Sequence, residues 1–166
     1  MNPLLQVLRH LIAEDWQLRR DFPRRVLERI QGAVNEQEKL HDSELRFAVE
    51  GGLPIMNLLR GQTARARAIE EFGALQVWNT EHNSGVLVYL LLAERAVEIV
   101  ADRGICARVA DDVWQAICAK MQRAFAEGEF ERGVIDGLQE IGGVLAAHFP
   151  ARAGKTNELP DAPVVL

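Results

Sequence analysis

The chain lacks the residues that mark the simplest functional classes. It has two cysteines, Cys106 and Cys118, without C-x-x-C spacing and without an accompanying histidine cluster, so neither a zinc site nor a disulfide framework organises it. Both read as reduced thiols, and Cys118 sits among helical apolar positions. No apolar run approaches the ~20 residues that span a bilayer. The longest, Val86 to Ala93, has the length of a strand. There is no positive excess either: the formal net charge is -5, which argues against a general nucleic-acid binder. Arg9, Glu14 and Asp15 interrupt any charged-then-apolar leader, so the expectation is a cytoplasmic protein.

What remains is ordinary globular composition. With 166 residues, 48% hydrophobic and 26% charged, the chain is long enough for one domain with its own core. The charge is uneven. Residues 1–25 carry five arginines (Arg9, Arg19, Arg20, Arg24, Arg25) against three acids (Glu14, Asp15, Asp21), so the acidic excess lies in the rest of the chain.

Periodicity divides the chain into elements. Leu4, Leu8, Leu11 and Ile12, with Leu5 and Trp16 at the edges, predict an amphipathic helix over residues 4–18. A second helix starts near Asp21-Phe22-Pro23, where Asp21 can cap and Pro23 is tolerated in the first turn, and runs to about Leu40, with Val26, Leu27, Ile30 and Val34 inward. In residues 44–50 the period changes to two: Leu45, Phe47 and Val49 alternate with mostly polar residues, which predicts a strand with one buried face. Residues 53–62 read as a loop, and Thr63 caps a helix to about Leu75. After a polar loop over residues 79–85, Val86 to Leu92 is apolar on both faces and predicts a central strand. A tight connection at Ala93-Glu94-Arg95 leads to a hairpin partner over residues 97–100.

The C-terminal half reads as helical. Asp112 with Gln115 resembles a capping box, with Val113, Ile117, Met121 and Ala124 inward, and Gly128 stops that helix. The last helix carries Val134, Leu138, Ile141 and Leu145, and its glycines suggest close approach to the sheet. From Pro150 onward periodicity is lost, and residues 150–166 are expected to form a disordered tail. A strand apolar on both faces needs helices on both sides. The expected fold is therefore α/β, a three-layer α/β/α sandwich with a small mixed sheet. Residues 1–20 form an N-terminal helix beside a domain over residues 21–149.

The order Trp78, Asn83-Ser84-Gly85, the apolar strand from Val86, the turn at Gly104 and Asp111-Asp112 resembles the signature of TPM domains, which are sometimes labelled phosphatase-like. The likeness covers roughly residues 22–149. The start, with Arg9-His10-Leu11, Trp16, Arg19-Arg20 and Phe22-Pro23, resembles a short bacterial subgroup without signal peptide or transmembrane tail. The resemblance implies a divalent-cation site, usually calcium, near an Asp-Asn-Gly loop in some members, weak acid phosphatase activity in some, and accessory roles at membrane complexes in others. Here Asn83 and Ser84 replace the usual Asp and Asn, and a neutral amide supplies an oxygen but no charge.

Candidate residues follow, each with a plainer alternative. Glu81, His82 and Asn83 form a binding loop or a solvated turn. Asn83 with Asp102, Asp111 and Asp112 could hold calcium or another divalent cation, yet the two consecutive aspartates most simply cap a helix. Glu44 opens a strand near the same rim, or is a solvated edge carboxylate. His41 approaches that pocket, or ends a helix favourably for its dipole. Ser84 and the cysteines lack a Ser-His-Asp or Cys-His context, and no Gly-rich phosphate loop precedes a helix. The N-terminal helix, apolar beside its arginines, could meet another protein or lie peripherally on an anionic membrane surface. The alternative is that it packs on its own domain. The sequence points to a binding or accessory module; the alternative is a weak metal-dependent acid phosphatase around Asn83, Asp102 and Asp111.

Overall fold

The computed structural model describes residue 8, residue 10 and residues 16–166. Most of the helix expected over residues 4–18 therefore lies outside the described residues. In chain order the described elements are α1 (Leu18–Asp21), α2 (Arg24–Glu38), β1 (Glu44–Glu50), α3 (Ile55–Leu59), α4 (Ala64–Ala74), β2 (Gly85–Leu91), β3 (Ala96–Ala101), α5 (Arg103–Cys106), α6 (Asp111–Ala126), α7 (Phe130–His148) and β4 (Val164–Val165).

The sheet order is β3-β2-β1-β4. β2 and β4 run parallel to β1, and β3 returns antiparallel to β2. Glu44 pairs with Gly85 and Glu50 with Leu91, so both central strands begin at one rim. Alternation along them feeds two cores. Leu45, Phe47, Val49, Val86, Val88 and Leu90 pack with the inner stripes of α2, α6 and α7. Ala48, Leu87, Tyr89 and Leu91 face the other way, onto Ala64 and Ala68 of α4, with Leu53 and Leu159. These are the three layers the sequence implies, and every residue of β2 is buried. Truncating a fully covered leucine such as Leu90 to alanine would cost about 2–5 kcal/mol.

Several local expectations change on contact with tertiary structure. Asp21 does not cap α2; Pro23 occupies that position and Asp21 pairs with Arg20 at 2.7 Å. Thr63 does cap α4, its Oγ1 accepting from the Ala66 N–H at 3.1 Å. The Asp112–Gln115 box does not form, because Ala110 occupies the N-cap position without a side-chain bond. Both aspartates lie in the first turn of α6, where they still favour the helix dipole. The buried stripe of α6 is Trp114, Ile117, Cys118, Met121 and Phe125, rotated by about one residue from the expected one because the helix packs on both the sheet and α7. Residues 55–59 are helical, with Pro54 at the N-cap position.

The glycines of α7 serve helix contacts and do not approach the sheet. An added Cβ would meet Ala124 and Phe125 from Gly133, Met121 from Gly137, and Gln37 from Gly142. They let α6 and α2 close on α7. Gly128, at φ +82°, ends α6 as the sequence suggested.

The largest departures concern β1 and residues 150–166. β1 was expected to bury one face, yet all seven residues are buried. Over Glu44 and Arg46 the cover comes from the C-terminal segment, expected to be disordered, which here follows a defined course, while Arg67 of α4 covers Glu50. Asp42 N–H donates to Phe149 O at 2.8 Å, Leu159 is 8% exposed within the second core, and β4 pairs with Ala48 and Val49. Its few apolar residues are too widely spaced to read as periodic, but Leu159 and Val164 pack into the second core beside β1, while Val165 and Leu166 stay exposed. This segment is called the strap below.

Candidate functional site

Two polar regions meet the rim where β1 and β2 begin. The first is the loop over residues 79–85. Asn83 adopts φ 52° and its Oδ1 accepts from Arg103 Nε at 2.9 Å. Asp102 caps α5, its Oδ1 accepting from the Arg103 N–H at 2.7 Å, while its Oδ2 is buried without a hydrogen-bond partner. Glu81 and His82 are exposed, their side chains 3.9 Å apart at His82 Nε2. The strap faces them: the Glu81 N–H donates to Glu158 Oε2 at 2.9 Å, and Arg152 Nη1 lies 3.4 Å from His82 Nε2. Asp42, Glu81, His82, Arg152, Lys155 and Glu158 line a shallow pocket of about 290 Å³.

The four residues put forward as metal ligands do not converge. Asp111 and Asp112 are exposed at the start of α6, and Asp111 Oδ2 accepts from Gln115 at 3.4 Å. Asp111 lies close enough to Glu98 for its charge to help hold that carboxyl up, after burial, the main cause. Among the described residues no three His, Cys, Asp or Glu side chains form a group that could hold a metal ion.

The second region lies behind the strap. Glu44 is fully buried, not a solvated edge carboxylate. Its Oε1 stands 3.1 Å from Lys155 Nζ, an ion pair without hydrogen-bond alignment, and its Oε2 accepts from the Leu159 N–H at 3.2 Å. Lys155 also donates to the Ser43 carbonyl at 2.9 Å. Glu38, the last residue of α2, is 8% exposed, and one of its oxygens accepts from the Leu45 N–H at 2.7 Å. Burial pushes its carboxyl up to about 8, against the pull of that hydrogen bond, with Glu44 and Asp161 adding like charge. Glu38 is therefore protonated near neutrality.

His41 is buried and does not serve the helix dipole. Burial and the neighbouring Lys155 charge lower it to about 4, so it is neutral, with Nδ1 within 3.0 Å of the Ser43 carbonyl. Arg46, also buried, donates to the Pro160 carbonyl.

A cleft of about 610 Å³ opens between α2 and the strap, lined by Gly32, Asn35, Glu36, Glu38, Lys39, Ala151, Arg152, Gly154, Lys155, Asn157 and Asp161. Sequence reasoning missed Glu38, Arg46, Lys155 and Asp161. One signal was present: Glu44, Arg46 and Glu50 stand on one face of a strand flanked by apolar residues. Had both faces of β1 been known to be covered, that face had to be a buried polar network.

Comparison with known proteins agrees with this architecture. A family model of the TPM domain matches residues 24–144. No curated protein matches the chain. Among solved structures the chain is similar to the NMR structure of the BA42 protein from the psychrophilic bacterium Bizionia argentinensis. The two are 29% identical, with a TM-score of 0.75, over 86% of this chain and 93% of that one. The family match takes in β1, the loop over residues 79–85, the β2–β3 hairpin, α6 and most of α7, so the chain belongs to the TPM-domain family.

Proposed function

We propose that this TPM-domain chain is a non-catalytic binding or accessory module whose contact surface is the rim beside the loop over residues 79–85. The observation that supports this reading is that the candidate groups are engaged by their own chain. Asn83 accepts from Arg103, Asp102 caps α5, and Glu44 is held by Lys155. A hydrolytic metal centre needs several oxygens aimed at one point with a position open to substrate. The rim instead offers Glu81, His82, Arg152 and Glu158, both charge signs side by side, which suits a polar partner protein.

One observation favours a second reading, a divalent-cation site with weak phosphatase activity: Asp102 Oδ2 is buried and without a partner. The deciding assay offers purified protein a generic phosphate monoester with calcium, magnesium or manganese. The expected result is no turnover above background. Turnover that disappears in both Asp102→Ala and Asp111→Ala would overturn the binding-module reading. A calcium-dependent rise in melting temperature, lost in Asp102→Ala, would establish the cation site separately.

Among the described residues no helix is long and apolar enough to cross a membrane. Peripheral docking through the N-terminal segment has one supporting feature, an exposed Trp16 with the Arg20 guanidinium 4.6 Å over its ring. Failure to sediment with anionic liposomes at low salt would remove it.

A further inference from the structure

The cleft between α2 and the strap begins with an anomaly in α2. Gly32 lies in the helix interior, where glycine costs about 1 kcal/mol relative to alanine. No neighbour requires it, since an added Cβ would meet nothing within 4 Å. Across the cleft Gly154, at φ +83°, likewise faces open space. A glycine on each wall keeps the volume of about 610 Å³ open, which falls within the ~300–1,000 Å³ range of small-molecule sites.

The charges of the walls select the ligand. Every cation lining the cleft already has an acid. Lys39 pairs with Glu36 at 2.6 Å, Arg152 with Asp42 at 3.1 Å, and Lys155 with Glu44 at 3.1 Å. Glu38 and Asp161 have no such partner among the described residues. Glu38 bonds only the Leu45 N–H, and Asp161 accepts only the Asn157 amide at 2.6 Å. Arg46, whose charge reaches both, is turned to the Pro160 carbonyl. The last turn of α2, which lines the cleft, also presents the negative end of a 15-residue helix. From Gly32 to Lys39 the wall extends about 10 Å along the helix axis. That length suits an extended alkyl chain with a terminal ammonium better than a metal ion held at one point.

We infer that this cleft binds a small organic cation of the alkylamine class, with Glu38 and Asp161 as its anionic contacts. The cleft adjoins the rim pocket and shares Arg152 and Lys155 with it, but its anionic contacts, Glu38 and Asp161, do not line that pocket, and the assignment does not depend on the rim's function. Glu38 is faced by Glu44 and Arg46 of β1 and by Lys155 and Asp161 of the strap, and it is protonated before the ligand arrives. Binding releases that proton, so affinity rises as pH approaches about 8, where an alkylammonium is still charged.

Calorimetry of the full chain with 1,4-diaminobutane, n-butylamine and the uncharged n-butanol tests this. Both amines are expected to bind with Kd below about 1 mM at pH ~8.5, and butanol not to bind. Gly32→Leu projects into open space, so it should keep the fold, checked by its melting temperature, and weaken amine binding about tenfold or more. Glu38→Gln should weaken binding similarly and remove its pH dependence. No heat with either amine, equal binding of butanol, or unchanged affinity in folded Gly32→Leu would overturn the assignment.

Discussion

The two ends of β1 carry buried charge in contrasting ways. At the Glu50 end the network is closed. Arg67 reaches Glu50 at 2.9 Å, Glu70 at 2.9 Å and Glu71 at 2.8 Å, and the Tyr89 hydroxyl donates to Glu50 at 2.5 Å. Burial first, then the Glu50 charge, pushes the Tyr89 hydroxyl far above its usual range, so it remains a donor. At the Glu44 end the network is open. His41 Nε2, Ser43 Oγ and Arg46 Nε are buried without partners, Glu38 has one bonded oxygen, and the counter-charge Lys155 comes from the strap. A closed network fixes α4 to the sheet and leaves nothing for a ligand. An open one, beside a cleft, retains groups that a ligand can engage.

The sharpest way to break this contrast is Arg67→Met. It leaves Glu50 and Glu71, 4% and 6% exposed, without their cation, and should cost about 3–5 kcal/mol in denaturant unfolding. A loss under about 1 kcal/mol would mean that the closed network is not structural. Lys155→Met should cost less, about 1–3 kcal/mol, because the strap can lift and admit water to Glu44. Hydrogen exchange should report it as loss of protection at Leu159 and Leu166, and adding Glu44→Gln should restore part of the stability.

Titration separates the groups of the open end. Glu38 titrates at about 8 in the folded chain against an ordinary 4.5, so its contribution is full below 4.5 and is lost as pH rises through 8. His41 has the opposite sign. Its folded value of about 4 lies below the ordinary 6.5, so its contribution is present above 6.5 and is lost as pH falls toward 4. Between pH 6.5 and 8 only Glu38 of this pair acts, and stability should decline there. Glu38→Gln should flatten that decline; an unchanged slope would remove Glu38 as its source. The smallest effect belongs to Gly32→Ala, which meets no neighbour and should raise stability by roughly 0.5–1 kcal/mol.

Legibility in the sequence followed the range of the interaction. The strand from Val86 was readable because an unbroken apolar run of strand length must be covered on both sides, and the structure gives Gly85–Leu91 with every residue buried. Thr63 and Gly128 were readable because a cap or a helix stop depends on neighbours a few residues away. Asp112 misled for the same reason, since a capping pattern cannot tell which residue the incoming chain places at the N-cap position. Among the candidate site residues, the sequence put Glu81, His82, Asn83, Asp102 and Glu44 near one rim. It could not show that Arg103 and Lys155 engage Asn83 and Glu44, because those contacts span 20 and 111 residues of chain.

By itself the sequence determined the layered α/β/α arrangement, through the periods of its apolar residues and the doubly apolar strand that forces helices onto both faces of the sheet. Tertiary structure alone decided that residues 150–166 would seal β1, turning Glu38, His41, Glu44 and Arg46 from apparent surface groups into buried ones. The physical reason is that burial of a charge depends on what crosses over it. Here the crossing segment is held by a few long-range contacts, Lys155 to Glu44, Leu159 in the second core and Val164 beside Ala48, that leave no local pattern.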